Sequence, residues 1–148
     1  MAERAPESHT QPRAAEPTPI APWFQRASSL AHAHDQPFVS AHFTSGRAAE
    51  IRVNAESLQA YLDVVRDSHF DDGTLITEWL RPDNRTPGSV LALELRGGSW
   101  HYWQVDLQGH GAELGDASPC QGCHAGALAA PVFGLARPGA ESKPLAPR

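Results

Sequence analysis

An α+β fold is predicted, with an antiparallel β-sheet packed against a few helices and a C-terminal helix carrying C-x-x-C-H. Three observations predict it. The stretch EIRVNAESLQAYLDVVRD, residues 50–67, switches from strand to helix periodicity within a few residues. The runs DDGTLITEWL, SVLALEL and SWHYWQVDL are short, rich in β-branched and aromatic residues, and separated by turn residues. Ser118-Pro119 then offers a helix start just ahead of CQGCHAGALAA.

Taken in order, residues 1–22 read as a disordered tether, because prolines at 6, 12, 17, 19 and 22 are spaced by alanine, glutamate and threonine that cannot bury enough apolar area to offset ordering. A single folded domain is expected over 23–137, and residues 138–148 repeat the tether's composition. Within the domain Glu50 to Val53 reads as a strand. Asn54 is a helix N-cap, and Leu58, Tyr61, Leu62 and Val65 recur on one helical face. Gly97-Gly98 can take the two positive-φ positions of a tight hairpin turn. On the first arm of that hairpin Leu91, Leu93 and Leu95 point one way; on the second, Trp100 and Tyr102 oppose His101 and Trp103, so both faces are expected to be covered. The helix opened by Pro119 is expected to end at Pro131.

The 148 residues are 41% hydrophobic and 20% charged, the balance of a globular chain with one core. Net charge is −5 and the arginines are scattered, which disfavours a nucleic-acid partner. No stretch has the length of a membrane span. The opening MAERAPESHTQPR lacks the apolar core of a secretory signal.

Both cysteines of the chain lie in SPCQGCHAGALAAP, as Cys120 and Cys123, with His124 next to the second. On a helix the cysteines at i and i+3 share a face, so two thiols can add across the two vinyl groups of one haem edge while His124 turns beneath the ring to the iron. That reading calls for one covalent haem c and, because attachment occurs outside the cytoplasm, for a periplasmic protein whose leader has been trimmed. Zinc is the rival, with Cys120, Cys123 and one or both of His32 and His34 contributing to a tetrahedral set, but a second C-x-x-C is missing. A dithiol redox site lacks its βαβ setting.

The group opposite His124 decides what such a haem does. The sole methionine is Met1, so Met/His ligation is excluded; His42, His69, His101 and His110 keep a bis-histidine electron carrier open, and His9, His32 and His34 are weaker candidates near the tether. A vacant sixth position, for gas binding or redox catalysis, is the favoured expectation.

The segments SAHFTSGRAAEIRVNAESLQAYL, DDGTLITEW, SWHYWQVD and CQGCHAGALAAPVF resemble the cytochrome P-460 family and its relative, the β-sheet cytochrome c′-beta. The resemblance runs from about Ser40 to Phe133. It implies a periplasmic, commonly homodimeric protein with a five-coordinate haem that binds or transforms nitric oxide or hydroxylamine. Cys120 and Cys123 take the place of the thioether anchors, His124 that of the proximal ligand, and Phe133 that of the family's C-terminal aromatic. The family enzymes carry a lysine cross-linked to haem from the sheet, whereas the only lysine here is Lys143, in the tail, and the corresponding strand reads LALEL. Nitric oxide binding is therefore favoured over an oxidoreductase acting on hydroxylamine or peroxide, and a redox partner protein remains open. The resemblance also places a proton-handling carboxylate on the loop before the motif, for which Glu113 and Asp116 are candidates. Trp79, Trp100, Trp103 and Phe133 are expected to wall an apolar pocket.

Overall fold

The computed structural model describes residues 17–42, 46–65, 68–115, 118–127, 129, 132 and 133. Seven antiparallel strands form one sheet: β1 (Ala31–His32), β2 (Phe38–Val39), β3 (Ala48–Val53), β4 (Leu75–Leu80), β5 (Ser89–Arg96), β6 (Ser99–Asp106) and β7 (Gly111–Leu114). Their order is β1-β3-β4-β5-β6-β7, and β2 pairs with the same strand as β1, further along it. The expected α+β class thus appears as a mostly antiparallel sheet with a few short helices.

The sheet is held from both sides because period-2 alternation in β4, β5 and β6 feeds two separate cores. One contains Ile51, Val53, Ile76, Leu93 and Leu95. The other contains Leu75, Val90, Ala92, Trp103 and Val105. Helix α1 (Ala55–Leu62) packs Leu58 and Tyr61 on the first face. A 3-10 helix, Pro22–Ser29, seats Trp23 in the second. Leu75, Leu80, Val53 and Val90 lose essentially all contact with water, and each such side chain contributes about 1.5–3 kcal/mol.

Gly97 and Gly98 do occupy positive φ, at 59° and 75°, and Arg96 pairs with Ser99 across the turn. Asn54 opens α1, but differently from a side-chain N-cap. Its Oδ1 accepts the Leu75 N–H at 2.7 Å while its Nδ2 donates to Glu56 and Ser57, so it joins the helix start to β4. The helix stops at Leu62 with Asp63 as its C-cap, which leaves Val65 outside it and exposed.

Three further expectations are corrected. The tether does not run to residue 22: Ile20 bridges to His110, the Ala21 N–H donates to the Gly109 carbonyl at 2.9 Å, and Ala21 is buried. Glu113 lies on β7, paired with β6, and not on a loop. The last helix, α2 (Pro119–His124), is shorter than expected; the Gly126 and Ala127 N–H groups turn back onto the Cys123 and His124 carbonyls well before Pro131. Residues 1–16, which make up most of the tether and include His9, and the tail from residue 134 with Lys143, lie outside the described residues, as does Asp116. Among the described residues no helix is long and apolar enough to cross a membrane.

Candidate functional site

Ser118 has the extended backbone of an N-cap and Pro119 fills the first helical turn, where a missing N–H costs nothing. Cys120, Cys123 and His124 therefore project from about one turn of one short helix, and all three line the same cavity. Its volume is about 390 Å³, within the size range of small-molecule and cofactor sites. The sheet supplies the floor through Ile76, Leu91 and Leu93, and α1 supplies one wall through Tyr61. Both thiols are free; Cys120 is half-buried and Cys123 exposed at the rim.

The imidazole of His124 is enclosed by rings. Phe133 meets it edge-on with centroids 5.1 Å apart, and Tyr102 does the same at 5.6 Å. His42 lies nearly parallel to it, at 5.9 Å and 14°. Burial raises the Tyr61 phenol well above its ordinary range, with the Glu78 charge adding to the effect. Burial likewise raises Tyr102, with Cys120 adding. Both phenols thus stay neutral.

The polar element of the cavity is a pair that the motif does not announce. His42 Nδ1–H donates to Glu78 Oε2 at 2.7 Å. That hydrogen bond is the main reason the His42 imidazole is raised above its ordinary value; burial opposes the shift and the Glu78 charge reinforces it. Glu78 is only 8% exposed, and its Oε1 is buried without a hydrogen-bond partner. His42 is placed by its own N–H, which donates to Ser40 Oγ at 2.9 Å, and Ser40 in turn donates to the Arg47 carbonyl.

The other expected residues fall elsewhere. Trp79 follows Glu78 on β4 and so points to the opposite face, where Phe24 and the Arg52 guanidinium pack on it and its Nε1 donates to Thr77. Trp103 borders the cavity through the sheet, yet its indole belongs to that second core. Trp100 packs edge-on against Phe70, away from the cavity. Glu113 is directly across from Trp103 and shares its face, hydrogen-bonded to His101 and Arg96, so it lies on the side of the sheet away from the cavity. Those partners, His101 first, hold the Glu113 carboxyl below its ordinary range despite opposing desolvation.

Of the remaining histidines, His69 is exposed beside Asp71, His110 sits by Asp106, and His32 lies 3.6 Å from Glu50 at the sheet edge. Only His42 joins His124 at the cavity among the described residues. Nor do His32 and His34 gather with the cysteines: no set of three or more His, Cys, Asp or Glu among the described residues has metal-binding geometry.

A haem c fits the donor chemistry present, since two free thiols and an imidazole open together on one largely apolar cavity. Comparison with known protein families, curated proteins and solved structures finds no match.

Proposed function

We propose that the cavity under α2 is a covalent haem c site that captures a small ligand such as nitric oxide, in a protein matured in the periplasm. One observation carries this reading: the two thiols and the imidazole of a C-x-x-C-H sequence face a single apolar cavity. Cys120 and Cys123 would hold the group through thioether bonds and His124 would supply a nitrogen to its iron. Bound haem supplies an iron centre that accepts a diatomic ligand. The chain's own work is to hold and shield. Phe133 and Tyr102, edge-on to His124, fix the plane of its ring, and Ile76, Leu91 and Leu93 give the sheet floor an apolar surface around Glu78.

A second reading, an electron carrier with two histidine ligands, is favoured by the His42 ring facing His124. For hydroxylamine or peroxide turnover, Glu113, one of the two proton carriers expected, faces the other side of the sheet, which leaves Asp116, outside the described residues, as the other.

The test is expression in a periplasm equipped for haem attachment. Haem retained through acidified acetone, a pyridine haemochrome spectrum of the thioether type, and release of haem from the Cys120→Ser, Cys123→Ser double variant are expected. Colourless protein, or haem equally retained by the double variant, refutes the assignment.

A further inference from the structure

Among the described residues the His42–Glu78 pair has no counterpart elsewhere in the cavity. A buried carboxylate in apolar surroundings costs several kcal/mol unless its charge is matched, and Glu78 leaves one oxygen without a partner while the other accepts from His42. Its one hydrogen bond therefore goes to orienting an imidazole. With Nδ1 committed to the carboxylate, the lone pair of a neutral His42 ring sits on Nε2. A histidine that ligates a metal characteristically gives its other N–H to such a carboxylate.

The spacing points the same way. Two imidazoles on opposite sides of one metal ion, each nitrogen about 2.0–2.1 Å from it, have ring centroids about 6 Å apart. The His42 and His124 centroids are 5.9 Å apart, and their planes differ by only 14°. The two rings also come from independent parts of the chain, one on α2 and the other on the β2–β3 connection tied down by Ser40.

We infer that His42, oriented by Glu78, is a second ligand nitrogen paired with His124 across the cavity, and that a small ligand entering the site must displace it. This rests on the haem c reading and adds competition to it: capture depends on how readily His42 yields. Glu78 is a positioning residue, acting only through His42.

The experiment uses the haem-loaded full chain, with covalent haem first established by the pyridine haemochrome. Wild type is expected to be low-spin in absorption and electron paramagnetic resonance. Its carbon monoxide association rate should saturate with concentration, because departure of His42 limits entry. His42→Ala should be high-spin with an association rate that stays linear in carbon monoxide, and His42→Met should restore a low-spin spectrum of altered form. Glu78→Gln is expected to weaken the His42 ligand about 10–100-fold, read as a rise in the high-spin fraction and faster carbon monoxide entry. A high-spin wild type, or a low-spin spectrum unchanged in His42→Ala, overturns the inference while leaving covalent haem intact. If the alanine variant does not accumulate, the wild-type spin state and Glu78→Gln decide the matter. Protein without covalent haem overturns both this inference and the reading beneath it.

Discussion

Arg47 is a buried cation just ahead of β3 that holds the β4–β5 connection, and replacing it with methionine tests that role. Its side chain is almost wholly buried. Nε donates to the Arg81 carbonyl at 3.2 Å, and Nη2 donates to the same carbonyl at 2.8 Å and to the Pro87 carbonyl at 2.7 Å. Asp83 stands 4.0 Å away and 40% exposed, so its charge is screened and the carbonyl bonds dominate. Hydrogen bonds from a charged group contribute about 1.5–3 kcal/mol each, and a buried carbonyl left unpaired costs about 1–3 kcal/mol. Methionine keeps much of the apolar stem, and water can reach part of the loop. A loss of about 2–4 kcal/mol is expected for Arg47→Met. At about 2–4 °C per kcal/mol, that is a fall in Tm of about 4–16 °C. The assay is urea unfolding followed by tryptophan fluorescence, with calorimetry for Tm. Arg26→Met is the control: its bond to Glu94 lies at a half-exposed guanidinium and should be worth under about 1 kcal/mol. Equal losses for the two variants, or a loss below about 0.5 kcal/mol at Arg47, would refute the argument from buried carbonyls.

Acid stability should depend on Glu50, whose carboxyl is held below its ordinary value of 4.5 by Arg81 first, against desolvation, with Arg52 adding. The folded chain binds that proton less tightly than the unfolded one, so the stabilisation is present above about pH 4.5 and is lost as pH falls through the depressed value. Glu50→Gln should therefore flatten the acid limb of a Tm-against-pH profile and leave its alkaline limb unmoved. Gly111→Ala should destabilise by about 1–3 kcal/mol in urea titration, because a Cβ there would lie 2.1 Å from the Gln104 carbonyl oxygen and 2.6 Å from Val105 Cα. Glu113→Gln should leave spin state and carbon monoxide entry of the haem-loaded protein unchanged, since the carboxylate lies on the opposite face; a shifted spectrum would return it to the site.

What the sequence disclosed was local chemistry. Two glycines in succession specify the β5–β6 turn, and Leu91, Leu93 and Leu95 announce one face, because each needs only neighbouring residues to be read. Strands β1 and β2 have two residues each, too short to show a period, and exist through pairing with β3. β7 was hidden among glycines and is made by its partner β6. The same distinction separates the site residues. Cys120, Cys123 and His124 lie within one helical turn or so, whereas His42 and Glu78 meet across 36 positions. A clue did exist in LITEWL: alternation puts Glu78 on the same face as Ile76, a carboxylate on an apolar face that needs a partner, and puts Trp79 on the other. The same parity, applied to the β6–β7 register, removes Glu113 from the cavity.

The cavity itself follows from element lengths. β5 and β6 have eight residues each and run about 27 Å, whereas α1, also eight residues, is about 12 Å long. One such helix can cover less than half of the sheet face on which it packs. On the opposite face the 3-10 helix delivers Trp23 and Phe24, two large rings that fill the space against Trp79 and Trp103. On the α1 face the uncovered part is roofed by α2, whose six residues span about 9 Å and bury no side chain of their own. A roof that short, with cysteines on its inner side and no large apolar residue to fill the gap, leaves space above Leu91 and Leu93. Among the described residues Glu78 and the histidine it holds, with the Tyr61 and Tyr102 phenols, break the apolar lining, so a ligand admitted to that space would meet His42 as well as His124.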